Sequence, residues 1–225
     1  MAFQFAVMLI GVAVIGLIYY FGAERRLKRR LRKLPISSSI ALTPENQDVR
    51  VSGMLAYVEG KAPLTAPISG RPCVAWRVLV EVKKSNGKSS SWHKVVDESD
   101  STDFALEDES GRAIVDGSAL SLALDFDASD SSDMFNDGSP ELMTFLQTRG
   151  VKTKGLLLKR TLRAREGALE FGEKVTVGGS GKFMNDPSAQ SGYRGTAKLL
   201  HVQALSTGEL LATDDRKGNK GQESA

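Results

Sequence analysis

Few residues in this 225-residue chain can do chemistry, and their spacing narrows the choice further. Cys73 is the one cysteine, and His93 and His201 are the two histidines. A structural zinc site takes four such ligands, so no metal centre is expected, and a lone cysteine excludes an internal disulfide. Cys73 sits in an alternating apolar run, where a free cysteine behaves as a small buried hydrophobe. As a nucleophile it would need a base beside it, and neither histidine is tied to it by sequence. His93 and His201 lie in strand-like segments and read as surface or scaffold residues. No catalytic residue and no cofactor are assigned.

Two polar motifs need separate tests. The phosphate-loop pattern GxxxxGK[ST] would place Gly at 176 and Ser or Thr at 183 of the GGSGK stretch, Gly178 to Lys182. The chain has Thr176 and Phe183 there, so GGSGK reads as a strand-end turn. DFDASDSSDMFN, residues 125–136, spaces its aspartates like a calcium loop, which needs Gly at its sixth position and Glu at its twelfth. Asp130 and Asn136 stand there instead, leaving a solvated acidic loop whose natural counterpart is the cationic stretch 152–165. In AWRV, Trp76 and Arg77 point to opposite faces of a regular strand, with Trp76 inward.

The elements that must position these residues are mostly strands. Residues 49–58 (VRVSGMLAYV) and 73–84 (CVAWRVLVEVKK) alternate, and SNGKSSS carries an Asn86-Gly87 turn signal. SWHKVVDESDS reads as the returning partner. Residues 102–106 and 113–115 flank the acidic turn EDESGR in a second hairpin. Residues 118–126 read as a strand, and 127–140 as a polar loop. PELMTFLQTR reads as a short helix closed by Gly150, and residues 156–166, 174–178, 196–204 and 209–213 read as strands. Many short strands with one inserted helix predict a small β-barrel, OB-like in form.

The N-terminal segment sets the address. Residues 3–22 (FQFAVMLIGVAVIGLIYYFG) are apolar apart from Gln4, and twenty helical residues span about 30 Å, the thickness of the hydrocarbon core. Charge follows this run and does not precede it, unlike a cleavable leader. Residues 24–33 hold Arg25, Arg26, Lys28, Arg29, Arg30, Arg32 and Lys33 with one Glu, so this flank carries +6 and the remaining chain −3. The positive-inside rule places the N-terminus outside and the rest in the cytoplasm, at the inner membrane. The seven cations are the predicted contacts to anionic headgroups. Leu27, Leu31 and Leu34 form a narrow apolar stripe suited to lying along that leaflet. SSSIALTPENQD reads as a linker. With the rest of the chain mildly acidic, nucleic acid is not an expected partner.

Gly53, LTAPISGRPCVAWRVLVE (64–81), Trp92, FALEDESGRAIVD (104–116) and REGALEFGEKVTVGG (165–179) together resemble the GIDE-type, or "beside a membrane", domain over about residues 50–184. That family occurs in membrane-anchored ubiquitin ligases of mitochondria and chloroplasts, and in bacterial relatives lacking the ligase part. The ligases add a C-terminal RING domain whose cysteines and histidine hold two zinc ions. No cysteine follows Cys73 here, so the resemblance implies a bacterial-type relative without RING activity. The ligases also carry two spans, against one here.

The expected architecture is therefore mainly β (α+β). A single transmembrane helix (1–23) leads to a basic juxtamembrane helix and linker (24–48), an OB-like barrel domain with a short inserted helix (49–213), and a disordered tail (214–225). The expected function is a membrane-anchored binding or scaffold module for a protein, peptide or lipid-linked partner. The alternative is an enzyme whose loop cleft holds Cys73 or His93 beside an acidic group.

Overall fold

The computed structural model describes residues 22–85, 89–132, 138–151, 161–185 and 198–214. In chain order its elements are helix α1 (Gly22–Lys33) and strands β1 (Asp48–Ala56), β2 (Leu64–Thr65), β3 (Pro72–Cys73), β4 (Ala75–Ser85), β5 (Ser90–Ser101), β6 (Phe104–Asp108), β7 (Gly111–Val115), β8 (Leu120–Leu122) and β9 (Ala128–Ser132). Helix α2 (Pro140–Thr148) follows, then β10 (Leu162–Leu169), β11 (Lys174–Asn185), β12 (Lys198–Gln203) and β13 (Leu210–Thr213).

Five strands close a barrel in the order β1-β6-β7-β12-β11, with β11 returning to β1. Only the β7–β12 contact within the ring is parallel. The barrel-like β fold is consistent with the OB-like expectation. Alternation dictates the core: Val49, Val51 and Leu55 of β1 turn inward to meet Phe104, Leu106, Val115, Val175, Val177, Leu200 and Val202. The EDESGR turn closes β6 onto β7 because Asp108 accepts from the backbone N–H groups of Ser110 and Gly111 at 2.7 and 3.0 Å.

The two long excursions from this ring, one before β6 and one before β11, build a second antiparallel sheet in the order β5-β4-β10-β9. Its inner face, Trp76, Val78, Val80, Val82, Leu162 and Ala164, packs under Leu142, Phe145 and Leu146 of α2. Ser139 caps α2 by accepting from the Leu142 N–H at 3.1 Å, and Pro140 opens the helix where its missing N–H costs nothing. Gly150 closes it at φ +69°, as the pattern anticipates.

The largest departure from expectation lies at the N-terminal side. The Leu27, Leu31 and Leu34 stripe is spent on the protein rather than on a leaflet. It packs on Leu205 and Leu211, and Leu31 is 1% exposed. Lys28 reaches Asp125 at 2.8 Å, and Arg30 pairs with Glu209. The supposed linker is structure too. The Ser37 N–H donates to the Arg50 carbonyl and the Arg50 N–H to the Pro35 carbonyl, each at 2.9 Å. The Asn46 N–H donates to the Gly181 carbonyl at 2.8 Å, and Ile40 and Thr43 are buried. Asp108 draws this segment in by accepting from the Ile40 N–H at 2.8 Å.

GGSGK is the seat of that helix. A Cβ on Gly178 would lie 2.6 Å from Leu31 Cδ1 and 2.7 Å from Leu34 Cδ1, so any side chain there would push both leucines of α1 away from β11. Other differences are smaller. Within 118–126 only β8 is strand, and part of the expected polar loop is β9, paired to β10 so that Ser129 opposes Arg165. The strand expected from 156 is described from Leu162. The predicted transmembrane span, the Asn86-Gly87 turn, residues 133–137 of the acidic loop and the tail beyond 214 lie outside the described residues. Among the described residues no helix is long and apolar enough to cross a membrane.

Two outcomes follow from the α1 seat. Gly178→Val should cost about 1–3 kcal/mol by overpacking and open the basic helix to trypsin, read from denaturant midpoints and early cleavage at 25–33. Asp214, at the same joint, accepts from the Asp125 N–H at 3.0 Å, yet burial pushes its carboxyl up to about 6 from 3.8. Raised above its unfolded value, this carboxyl stabilises the fold only at acid pH, and that contribution is lost as pH rises from about 4 through about 6. Asp214→Asn should therefore raise stability at pH 7.5 by on the order of 1 kcal/mol, with the gain fading by pH 4 in denaturant titrations.

Candidate functional site

The strongest concentration of unusual side chains is the outer face of the second sheet. β4 sends Arg77, Leu79, Glu81 and Lys83 to that face, and β10 sends Arg163 and Arg165, because alternate residues share a side. The register sets Glu81 opposite Arg163. Glu81 is fully buried, and its Oε2 accepts from Arg163 Nε at 2.6 Å and from Arg165 at 3.0 Å. One carboxylate thus pins two guanidinium groups.

Aromatic rings complete the arrangement. The Arg163 guanidinium lies 4.2 Å above the Trp92 ring of β5, while Arg165 and Arg77 lie 4.9 and 5.9 Å from the Phe126 ring. Arg77 also bonds Asp97 through two nitrogens at 3.0 and 3.2 Å, and Lys94 reaches the same carboxylate at 2.9 Å. Burial works against charge on Asp97, but the Arg77 and Lys94 hydrogen bonds hold its carboxyl below the usual range. Four cations share two carboxylates here, so the face keeps an excess of positive charge. Arg165 Nε is buried without a hydrogen-bond partner, and both β10 guanidiniums are about one-third exposed. Planar donors held on aromatic rings suit carboxylate or phosphate groups.

The opposite face of the sheet holds a second buried carboxylate with a different role. Glu166 accepts from the backbone N–H groups of Ile68 and Ser69 at 2.7 and 3.2 Å, fixing the APISGR turn. That turn aims Arg71 at Asp127, which it grips through two nitrogens at 2.6 and 2.9 Å, and at Glu170. Cys73 lies beneath, fully buried, and burial together with the Glu166 charge pushes its thiol up to about 11. It is held as a protonated thiol.

The remaining sequence candidates are dispersed. His93 is exposed on β5 with its ring 3.0 Å from the Ser91 hydroxyl, and His201 lies on β12. The structure brings neither to Cys73 in any recorded hydrogen bond. Trp76 is 6% exposed and meets Phe145 edge-on, as its inward assignment requires. Arg25, Arg26, Arg29, Arg30, Arg32 and Lys33 are exposed along α1, and Lys28 and Arg30 reach Asp125 and Glu209. Among the described residues no cluster of three or more His, Cys, Asp or Glu could hold a metal ion. A groove of about 600 Å³ beside β1 and β6 is rimmed by Glu107, Glu109 and Lys174, and its Asp108 is committed to the hairpin turn.

Sequence reasoning missed the arginine face. Its signal was present, as Arg163 and Arg165 are spaced by two, as are Arg77, Leu79 and Glu81, but the pairing of β10 against β4 was not. No family model, curated protein or solved structure matches this chain.

Removing Glu81 should expose how the face is held. Glu81→Ala leaves two partly buried guanidiniums uncompensated and should cost about 3–5 kcal/mol. Lys83→Ala on the same face, exposed, should stay within about 0.5 kcal/mol. Urea midpoints of the two variants make the comparison.

Proposed function

We propose that this chain is a membrane-anchored binding module whose arginine-lined sheet face recognises an anionic segment of a protein partner at the cytoplasmic side of the inner membrane. The observation that carries the reading is the trio Glu81–Arg163–Arg165. A fully buried carboxylate spent on orienting two outward guanidiniums is costly unless their geometry is used. The aromatic rings beneath them remove further conformational freedom, which lowers the ordering cost on binding.

The anchor belongs to the same reading. The apolar run 3–22 precedes α1 directly, and α1 is packed on the barrel rather than tethered to it. An anchor joined in this way holds the binding face at a set distance from the bilayer and raises its local concentration. The exposed cations Arg25, Arg26, Arg29, Arg32 and Lys33 are the lipid contacts of this proposal, each adding about 1 kcal/mol near an anionic surface. The resemblance to the "beside a membrane" domain supports the same arrangement. The enzymatic alternative is not favoured by Cys73, whose thiol is sealed and protonated.

The test is a photo-crosslinking residue at Lys83 in the intact chain, expressed in cells. A discrete adduct is expected. Arg163→Lys keeps the charge but loses the planar fork, and should weaken capture by about 1–2 kcal/mol, or roughly tenfold. An adduct unchanged by Arg163→Lys, or no adduct at all, removes the recognition role of this face.

A further inference from the structure

Among the described residues β5 is an edge of the second sheet, twelve residues paired along one side, to β4. A long open edge presents a row of main-chain donors and acceptors that invites strand addition unless it is blunted. Its sequence, SSWHKVVDESDS, suggests what it would accept. The midpoint falls between Val95 and Val96, with His93 and Lys94 on one side and Asp97 and Glu98 on the other. An antiparallel copy centred there sets Lys94 opposite Asp97, His93 opposite Glu98 and Trp92 opposite Ser99.

A regular strand could not pair this way. Directly opposed residues must share a face, and residues three apart in a regular strand do not. The β-bulge removes the obstacle. β4 pairs Val80 with Val96 and Glu81 with Lys94, so Val95 is an extra residue and the alternation resets there. Lys94 and Asp97 therefore share the outer face, where they already touch at 2.9 Å. Glu98 turns to the inner layer and pairs with Arg149 of the residue stretch closing α2, while His93 lies opposite the buried Val82. Both halves of the strand are thus in phase with a twofold axis at its centre, and Val95, 37% exposed, lies beside that axis.

We propose that β5 is a homodimer edge. Two copies pair antiparallel about Val95–Val96, joining their second sheets across a twofold axis, with each Lys94 facing Asp97 of the second copy. Such an interface is isologous, the commonest form of closed assembly. The occupant is a second copy because the charge order of the strand complements itself: an all-acidic or all-basic partner strand would meet like charge on one half. Lys94 and Asp97 also border the arginine face, but the dimer is read by mass and the ligand of that face by cross-linking at Lys83, so either can fail alone.

The experiment uses the full chain in detergent, with mass read by light scattering and sedimentation. The wild-type chain should be dimeric. Lys94→Asp and Asp97→Lys each place like charges opposite one another twice and should raise the dimer dissociation constant at least about tenfold. The double variant restores the opposition and should recover the dimer. Independently, chains carrying Lys94→Cys mixed with chains carrying Asp97→Cys should form a disulfide on mild oxidation, whereas neither alone should. A monomeric wild-type chain overturns the proposal and marks the bulge and charges as edge protection. A dimer indifferent to both charge reversals, or cross-linking that needs no mixing, overturns it as well.

Discussion

β11 has to serve three strands and a helix at once, and the rest of the structure depends on how it does so. Its first half pairs with β1 to close the barrel and, at Thr176–Gly178, with β13 as well, and its second half pairs with β12. α1 lies on β11 at Gly178 through Leu31 and Leu34. Side chains there would collide with a neighbour on either face: a Cβ on Gly179 would come within 2.5 Å of Val202 Cγ1, much as one on Gly178 would meet Leu31. Adjacent glycines in a strand cost conformational entropy. They are tolerated because close approach on both sides buries Leu31, Leu211 and Val202 together.

The same economy governs charge. Two carboxylates are fully buried on opposite faces of one sheet, Glu81 and Glu166, and each is compensated by fixed donors. Glu166 takes backbone amides and so serves the architecture. Glu81 takes two arginines that remain partly open to solvent, and so transmits its constraint outward to a surface. This difference in partners, rather than burial itself, is why one cluster reads as scaffold and the other as a recognition face. The docked α1 and the packed segment that follows it tie both to whatever precedes residue 22.

Much of the local structure was legible. The EDESGR hairpin and the capped α2 each rest on residues close together in the chain, so Asp108, Ser139 and Gly150 announce them. The inward placement of Trp76 follows from alternation alone, whereas Cys73, of opposite parity, is buried in the same cluster because it sits in the separate strand β3 paired to Leu64. The segment 37–48 misled because its polarity suits a linker equally well. Its burial depends on Asp108 and Gly181, which lie far along the chain. GGSGK, expected as a strand-end turn, is instead continuous strand within β11, because its purpose depends on a helix some 150 positions away.

By itself, the sequence determined the apolar run and its cationic flank, the charge of each segment, the periodicity that makes most of the chain strand, and the turns that join neighbouring strands. Those properties are set by residues adjacent in the chain. Register across distant segments was decided only by the fold: β10 against β4, which sets Glu81 between Arg163 and Arg165, and β1 against β11, which closes the barrel. A one-residue slip of β10 would turn both arginines inward. The burial of Leu162 and Ala164 under α2 opposes that slip, and such a long-range packing constraint has no local signature.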